Sequence, residues 1–504
     1  MMRRIWELPL LVILTGVGSL AMLLPAAHAA VFGNFTVARP FFYGAVMFFI
    51  FTVLLGIATD NYRTKIAARG RLVALLGAYL WLPFLFAIPF SEALPDTTFV
   101  NAWFEMVSSF TTTGVTQYDM PGRLSPSLHL WRALVGWLGG FFVLMSAVAI
   151  LAPLNLGGVE VLSNRVPGRS ARGVEQITHG AGPSARMVRH SSKLFPAYLG
   201  LTVLLWVLLL MAGERGMTAL VLAMSTLSTS GITNGPGSAS GSHLSEVVVF
   251  AFMALALSRR FMPGAVQADK NRTLWNDHEL RLALGFLVVV PVIMFSRHWV
   301  GAMGVEELFN PMAALKALWG GLFTTMSFLT TTGFESADWQ EARSWSGLNS
   351  PGLVLLGLAM MGGGIATTAG GLKLLRVYAL ARHGEREMNR LVHPSSIGGG
   401  GDEERRLRQG GAYVAWIFFM LYALTFSIVI AALALRGLEF DQSLILTIAA
   451  VTTTGPLAVL AAETPIRMIE LSMPVKAILG AAMIVGRVEI LAILALLSPN
   501  VWRR

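Results

Sequence analysis

The sequence contains no cysteine and few charged residues. The absence of cysteine excludes disulfides, thiolate-bound metal sites and a cysteine nucleophile. Only 13% of its 504 residues are Asp, Glu, Lys or Arg, against roughly 25% in ordinary soluble domains. Together with 55% hydrophobic residues and a mean hydropathy of +0.64, this scarcity of charge indicates an integral membrane protein with many spans.

The few positive charges are concentrated in loops. Of the 38 Lys and Arg, 27 lie in six segments: 1–4, 63–71, 165–193, 259–281, 373–408 and 503–504. These segments fall on alternate sides of the apolar runs, as the positive-inside rule requires, so both termini and these loops are predicted to be cytoplasmic. The net charge of +10 is therefore a topology signal, and it does not indicate a nucleic-acid ligand.

The first thirty residues allow two interpretations. The opening Met-Met-Arg-Arg, the apolar stretch 8–24 and Ala27-His28-Ala29 resemble a cleavable signal peptide. Residues 5–27 are equally long enough for an uncleaved first span, which is the preferred interpretation. Both place residue 31 outside the cell.

Apolar runs and shorter apolar segments alternate along the rest of the chain. Spans are predicted at 40–58, 72–90, 128–151, 195–213, 244–262, 280–298, 351–382, 412–435 and 473–497. Segments too short to span are predicted at 100–110, 217–227, 314–329 and 441–451.

Each short segment ends in a similar tetrapeptide of three hydroxyl residues and a glycine. The four are Thr111-Thr112-Thr113-Gly114, Ser228-Thr229-Ser230-Gly231, Thr330-Thr331-Thr332-Gly333 and Thr452-Thr453-Thr454-Gly455. A recurring pattern at intervals of roughly a hundred residues is an internal repeat of span, short helix, tetrapeptide and span. One such tetrapeptide alone would be read as a glycine-capped helix end. Four predict returning backbone that lines a central pore, where glycine lets consecutive carbonyls face a cation.

The predicted fold is therefore an all-α polytopic membrane protein with four pseudo-symmetric repeats around a pore. Its divisions are an N-terminal helix pair (1–66), repeat 1 (67–160), a cytoplasmic connector (161–192), repeat 2 (193–264), repeat 3 (265–383), a second connector (384–411) and repeat 4 (412–504).

These tetrapeptides, with the stretches at 361–376, 388–394 and 486–504, resemble the Trk/Ktr/HKT superfamily of potassium transporters, most closely the bacterial Trk-type membrane subunit. The resemblance implies potassium uptake at the bacterial inner membrane, a homodimer, and potassium bound by filter carbonyls as the transported ion. The implied filter residues are Thr112, Thr113, Gly114, Thr229, Ser230, Gly231, Thr331, Thr332, Gly333, Thr453, Thr454 and Gly455. In plant members a serine at the first glycine accompanies sodium transport, so four glycines favour potassium. The four walls of the implied filter are unequal, because the residues that follow the four glycines are Val115, Ile232, Phe334 and Pro456.

The run 351–382 is longer than one span needs and is interrupted by Gly362-Gly363-Gly364 and Gly370-Gly371. It is either a kinked span packed through glycines or an intramembrane loop, and the resemblance implies that this loop is a gate. Thr367 and Thr368 are candidates to satisfy its freed backbone groups. Lys373, at its end, is either part of the gate or a residue that extends to the interface.

Arg487 is predicted to lie inside the last span, where an arginine costs about 2.5–3.5 kcal/mol unless it faces protein or water. The preferred hypothesis is that it lines the pore below the filter and donates to carbonyls of residues 362–371; an ion pair elsewhere is the alternative. Glu489 is predicted to be a poor partner, since it lies about 200° further round a continuous helix. Glu105, in the first short helix, is either a packing acid or an attractor of cations.

The connectors are polar and basic, and the sequence has neither a phosphate-binding loop nor a dinucleotide motif. They are either flexible segments near anionic lipid headgroups or, as the resemblance implies, the docking face for a nucleotide-binding ring of the TrkA type. No cofactor is expected in this chain. A proton- or sodium-coupled transporter on the same scaffold remains an alternative. A polytopic enzyme is disfavoured because no catalytic groups cluster in the apolar runs.

Overall fold

The computed structural model describes residues 8–59, 68–158, 161, 183–235, 241–261, 275, 277–301, 311–346, 352–393 and 411–497. The regular elements of these ranges are helices, which confirms the all-α prediction. Eight of these helices are long and apolar enough to cross a membrane, and a bent pair near the end of the chain would make a ninth span. The two predicted connectors lie largely outside the described residues.

The N-terminal part is a helical hairpin. The helices Leu10–Ala21 and Leu23–Val31 pack along Phe35–Thr59, and Leu10–Ala21 also packs against the next span, Leu72–Glu92. Gly18 permits the closest approach, because a side-chain carbon at this position would lie 2.5 Å from the Phe86 ring. Large apolar side chains on the outer face of the hairpin, including Phe42, Ile50 and Ile57, are exposed, as expected of a surface that faces lipid.

Four helices lead into the four tetrapeptides, three ending directly before the tetrapeptide and one at its first residue, Ser228. They are Phe99–Phe110, Gly216–Ser228, Pro311–Leu329 and Phe440–Val451. Each follows a long helix: Ala68–Glu92, Pro183–Met211, His278–Gly301 and Ala412–Ala434. The third short helix has 19 residues and is long enough to span, so the prediction that its length excludes a span was wrong.

The helices after the tetrapeptides are less regular than predicted. The first, Pro126–Ser146, continues through a π-helical turn and a 3-10 turn to Leu154. The second is only His243–Met253, followed by 3-10 turns at 254–256 and 259–261, where a single helix over 244–262 was predicted.

The spans predicted after the third and fourth tetrapeptides are broken, and the short helices Trp339–Ser346 and Leu457–Leu460 precede them. Gly352–Met361 ends where the first glycine run begins, residues 362–373 are not helical, and Leu374–Val392 is a separate helix, so 351–382 is not one span. Met473–Val488 and Ile490–Leu497 meet at 92° because Glu489 adopts a φ of +71°. The predicted continuous span over 473–497 was therefore wrong.

Candidate functional site

The four tetrapeptides adopt one backbone conformation. The second residue of each is left-handed, with φ of 56° at Thr112, 51° at Thr229, 56° at Thr331 and 55° at Thr453. Such angles are uncommon in threonine and cost roughly 1–2 kcal/mol each. Four strained threonines at equivalent positions therefore indicate a shared geometry that the surrounding protein imposes.

Hydroxyl groups hold this conformation in the same way in each tetrapeptide. The first hydroxyl donates to the carbonyl four residues earlier in the short helix, at 2.7–2.9 Å. It also lies 2.8–3.1 Å from the third hydroxyl. These side chains are nearly fully buried. Their hydrogen bonds are thus made within each segment, which leaves the backbone carbonyls as polar groups for a ligand.

Close contacts join the tetrapeptides in chain order into a closed ring. A side-chain carbon on Gly114 would collide with the Ser230 carbonyl, and one on Gly231 would collide with that of Thr332. The third segment meets the fourth at Gly333 and Pro456, and Gly455 donates its N–H to the Thr113 carbonyl at 2.6 Å. The ring therefore has room only for glycine at these positions.

Carbonyls in this ring are suited to a monovalent cation. Within the described residues, those of Thr112, Thr229, Thr331 and Thr453 accept no hydrogen bond. Rings of carbonyl oxygens replace the water shell of such an ion without a charged side chain. No group of three or more acidic or histidine side chains in the described part of the chain is placed to hold a metal ion.

The predicted glycine loop, residues 362–371, lies directly against the ring. The Gly370 N–H donates to the Thr331 hydroxyl at 2.7 Å, and a side-chain carbon on Gly370 would collide with the Thr452 carbonyl. Gly362 and Gly371 have φ of 72° and 75°, which glycine adopts at low cost. The glycines thus let the chain pass directly against the third and fourth tetrapeptides.

Neighbouring helices hold the glycine loop at several points. Arg487 donates from Nη2 to the Thr368 carbonyl at 2.6 Å. The Ile365 N–H donates to Glu279 Oε1 at 2.8 Å, and the Gly364 N–H donates to the Ala256 carbonyl at 3.0 Å. Lys373 Nζ donates to the Ala369 carbonyl. The predicted contact between Arg487 and residues 362–371 is present, and the loop is tied to residues from the second, third and fourth predicted repeats.

The other residues predicted for this region differ in whether their side chains contact the glycine loop. Thr367 donates to the Gly364 carbonyl at 2.7 Å, as predicted. The buried Thr368 hydroxyl has no partner among the described residues, so only its carbonyl takes part. Lys373 is 7% exposed and turns into the protein, which contradicts the interpretation that it extends to the membrane interface.

Sequence reasoning missed the pair formed by Arg376 and Glu489. Their side chains meet at 2.9 Å, and the Arg376 guanidinium lies 3.7 Å from the centre of the Phe418 ring. The pair was missed because Glu489 was placed on a continuous helix, whereas the bend at this residue turns it toward Arg376. Glu279 was also missed, since a single acid at a helix start carries no distinguishing signal.

Polar side chains behind the first tetrapeptide pair with one another. Glu105 is buried, pairs with Arg132 at 2.6 Å and accepts the Gln117 N–H at 3.1 Å. It is therefore the packing acid of the two alternatives. Lys476 donates to Asn101 Oδ1 at 2.9 Å and to Gln117 Oε1 at 3.1 Å, which ties the fourth repeat to the first.

A bundle of apolar helices around a closed ring of buried carbonyls defines a membrane transport protein. The chain belongs to the TrkH family of cation transport proteins, whose model matches residues 38–504. This finding confirms the predicted family and the prediction that the chain is not an enzyme.

Individual relatives agree with this assignment. The chain is 27% identical to the Trk system potassium uptake protein TrkH of Salmonella typhimurium over 432 residues, covering 85% of this chain and 84% of that protein. It is 27% identical to the protein TrkG of Escherichia coli over 495 residues, or 96% of each chain. The crystal structure of the potassium transporter TrkH from Vibrio parahaemolyticus superposes with a TM-score of 0.80 over 100% of both chains at 24% identity, so the fold is shared. The protein is a multi-pass bacterial membrane protein.

Proposed function

We propose that this chain takes up potassium through the ring of four tetrapeptides. The observation that carries the proposal is their common left-handed threonine conformation in a closed ring with glycine at each junction. Relatives that match most of the chain are named as potassium uptake proteins. The proposed ligands are the carbonyls of Thr112, Thr113, Gly114, Thr229, Ser230, Gly231, Thr331, Thr332, Gly333, Thr453, Thr454 and Gly455.

The glycine loop is the proposed gate. It lies directly against the ring, where we propose that it closes the cytoplasmic end of the pore, and Arg487 and Lys373 donate to its carbonyls. Because loop carbonyls at membrane depth need donors and a buried arginine needs acceptors, each satisfies the other in a closed arrangement. Opening requires the loop to leave these donors. Gly362, Gly363, Gly364, Thr367, Thr368, Gly370 and Gly371 form the moving segment.

The proposed setting is the bacterial inner membrane, with both termini and the basic loops in the cytoplasm. There the chain forms a homodimer and contacts a cytoplasmic ring of nucleotide-binding subunits. The absence of nucleotide motifs from the sequence supports a regulatory site on another chain.

Ion flux in liposomes tests this function. The purified chain is reconstituted, the membrane potential is clamped, and initial fluxes of potassium, rubidium, sodium and lithium are compared. We expect potassium and rubidium to exceed sodium and lithium. Equal potassium and sodium fluxes would contradict the selectivity. Flux that requires an imposed proton or sodium gradient at clamped potential would instead establish the coupled mode.

A further inference from the structure

The fourth tetrapeptide leaves the ring differently from the other three. Gly114, Gly231 and Gly333 have φ between 63° and 81°, whereas Gly455 does not adopt a positive φ. The next residue, Pro456, has φ −58° and ψ −15° and begins the short helix Leu457–Leu460. Proline is suited to this position because its fixed φ is helical and its missing N–H costs nothing in a first turn.

This turn engages two carbonyls in the outer half of the ring in hydrogen bonds. The Leu457 N–H donates to the Thr454 carbonyl at 3.2 Å, and the Ala458 N–H donates to the Gly455 carbonyl at 3.0 Å. The Thr113 carbonyl already accepts the Gly455 N–H. A carbonyl that accepts an amide hydrogen bond coordinates a cation less well, because the donor competes for the same oxygen. The outer half thus has fewer carbonyls that are free of hydrogen bonds than four equal walls would have.

The inner level keeps all four carbonyls. Those of Thr112, Thr229, Thr331 and Thr453, the four left-handed residues, accept no hydrogen bond within the described part of the chain. Complete coordination from four sides is therefore possible at this level.

The Pro456 ring lies across the outer end of the pore. Its Cγ would lie 2.8 Å from a side-chain carbon on Gly333 and 3.1 Å from one on Gly231. The third segment is the neighbour of the fourth, but the second lies diagonally opposite. A side chain that reaches both must lie near the axis. The residue is only partly buried, as expected at the mouth.

We propose that Pro456 is a size-determining constriction at the outer mouth, and that potassium is distinguished from sodium below it, at the carbonyls of Thr112, Thr229, Thr331 and Thr453. The proposal rests on the proposed potassium uptake. It assigns two tasks to two levels: the proline ring limits the size and rate of monovalent cations that enter, and the inner carbonyls select among those that pass.

Replacing the proline tests this division. Pro456→Ala keeps the backbone angles of the turn but removes Cγ and Cδ, so the mouth widens. A methylene-sized change in a tight apolar site alters discrimination by roughly tenfold or more. We expect the ratio of caesium to rubidium flux to rise by about this factor, while the ratio of potassium to sodium flux stays unchanged. Pro456→Leu enlarges the side chain and should lower the caesium-to-rubidium ratio.

Pro474→Ala is the matched control, because this exposed proline lies in the first turn of Met473–Val488 and should leave both ratios unchanged. Size-exclusion profiles establish that each variant is folded, and the two Pro456 substitutions predict opposite shifts. An unchanged caesium-to-rubidium ratio in the folded variants would overturn the proposal, as would a potassium-to-sodium ratio that falls in Pro456→Ala. Absence of rubidium flux from the unmodified chain would instead overturn the proposed function.

Discussion

The contact between Arg487 and the glycine loop gives a quantitative prediction for the gate. Arg487 is 7% exposed and donates to the Thr368 carbonyl at 2.6 Å. A hydrogen bond from a charged group contributes about 1.5–3 kcal/mol, and each 1.4 kcal/mol is a factor of ten in an equilibrium. If this bond is made only in the closed state, Arg487→Ala should raise the open-to-closed ratio roughly 10- to 150-fold.

The assay is initial rubidium flux in liposomes of equal protein content. Flux should rise by the same factor until the open state dominates, and the potassium-to-sodium ratio should stay constant because the ring is untouched. Arg487→Gln keeps a neutral donor, worth about 0.5–1.5 kcal/mol, and should give an intermediate flux. Arg436→Ala removes an exposed arginine and is the control. Lower flux from folded Arg487→Ala, or an altered ion ratio, would refute the reasoning.

Three further predictions concern the ring, the buried ion pair and the partner. Gly114→Ser should raise sodium flux relative to potassium flux, because the serine side chain would displace the Ser230 carbonyl. Gly200→Ser is the control, since this glycine lies at an open site, and it should leave the sodium-to-potassium ratio unchanged. The same ratio in both variants would show that Gly114 is not part of the filter. Arg376→Leu leaves Glu489, whose side chain is only 12% exposed, without its partner and should destabilise the protein by about 3–5 kcal/mol in thermal unfolding. Arg376→Leu combined with Glu489→Leu should cost less than the sum of the single substitutions, and strict additivity would contradict the pairing. Potassium uptake in cells should require a cytoplasmic nucleotide-binding partner. Full nucleotide-responsive flux from this chain alone in liposomes would show that no such partner is required.

The sequence alone determined the membrane class, the family and the position of each tetrapeptide. These follow from local properties: the length of apolar runs, the recurrence of three hydroxyls and a glycine, and the cost of glycine in a helix. The same local cost indicated that the run 351–382 would be interrupted at its glycines, either as a kinked span or as an intramembrane loop.

The tertiary structure decided what depends on residues far apart in the chain. Glu489 turns toward Arg376 because the last helix bends, and apolar sequence on both sides of the bend gives no sign of it. Glu279 meets the Ile365 N–H across 86 residues of chain. Pro456 was visible in the sequence as the exceptional residue after the fourth tetrapeptide. The closeness of the Pro456 ring to Gly231 is seen only in the tertiary structure. The distance between diagonal segments is set by packing around the axis and not by any local preference.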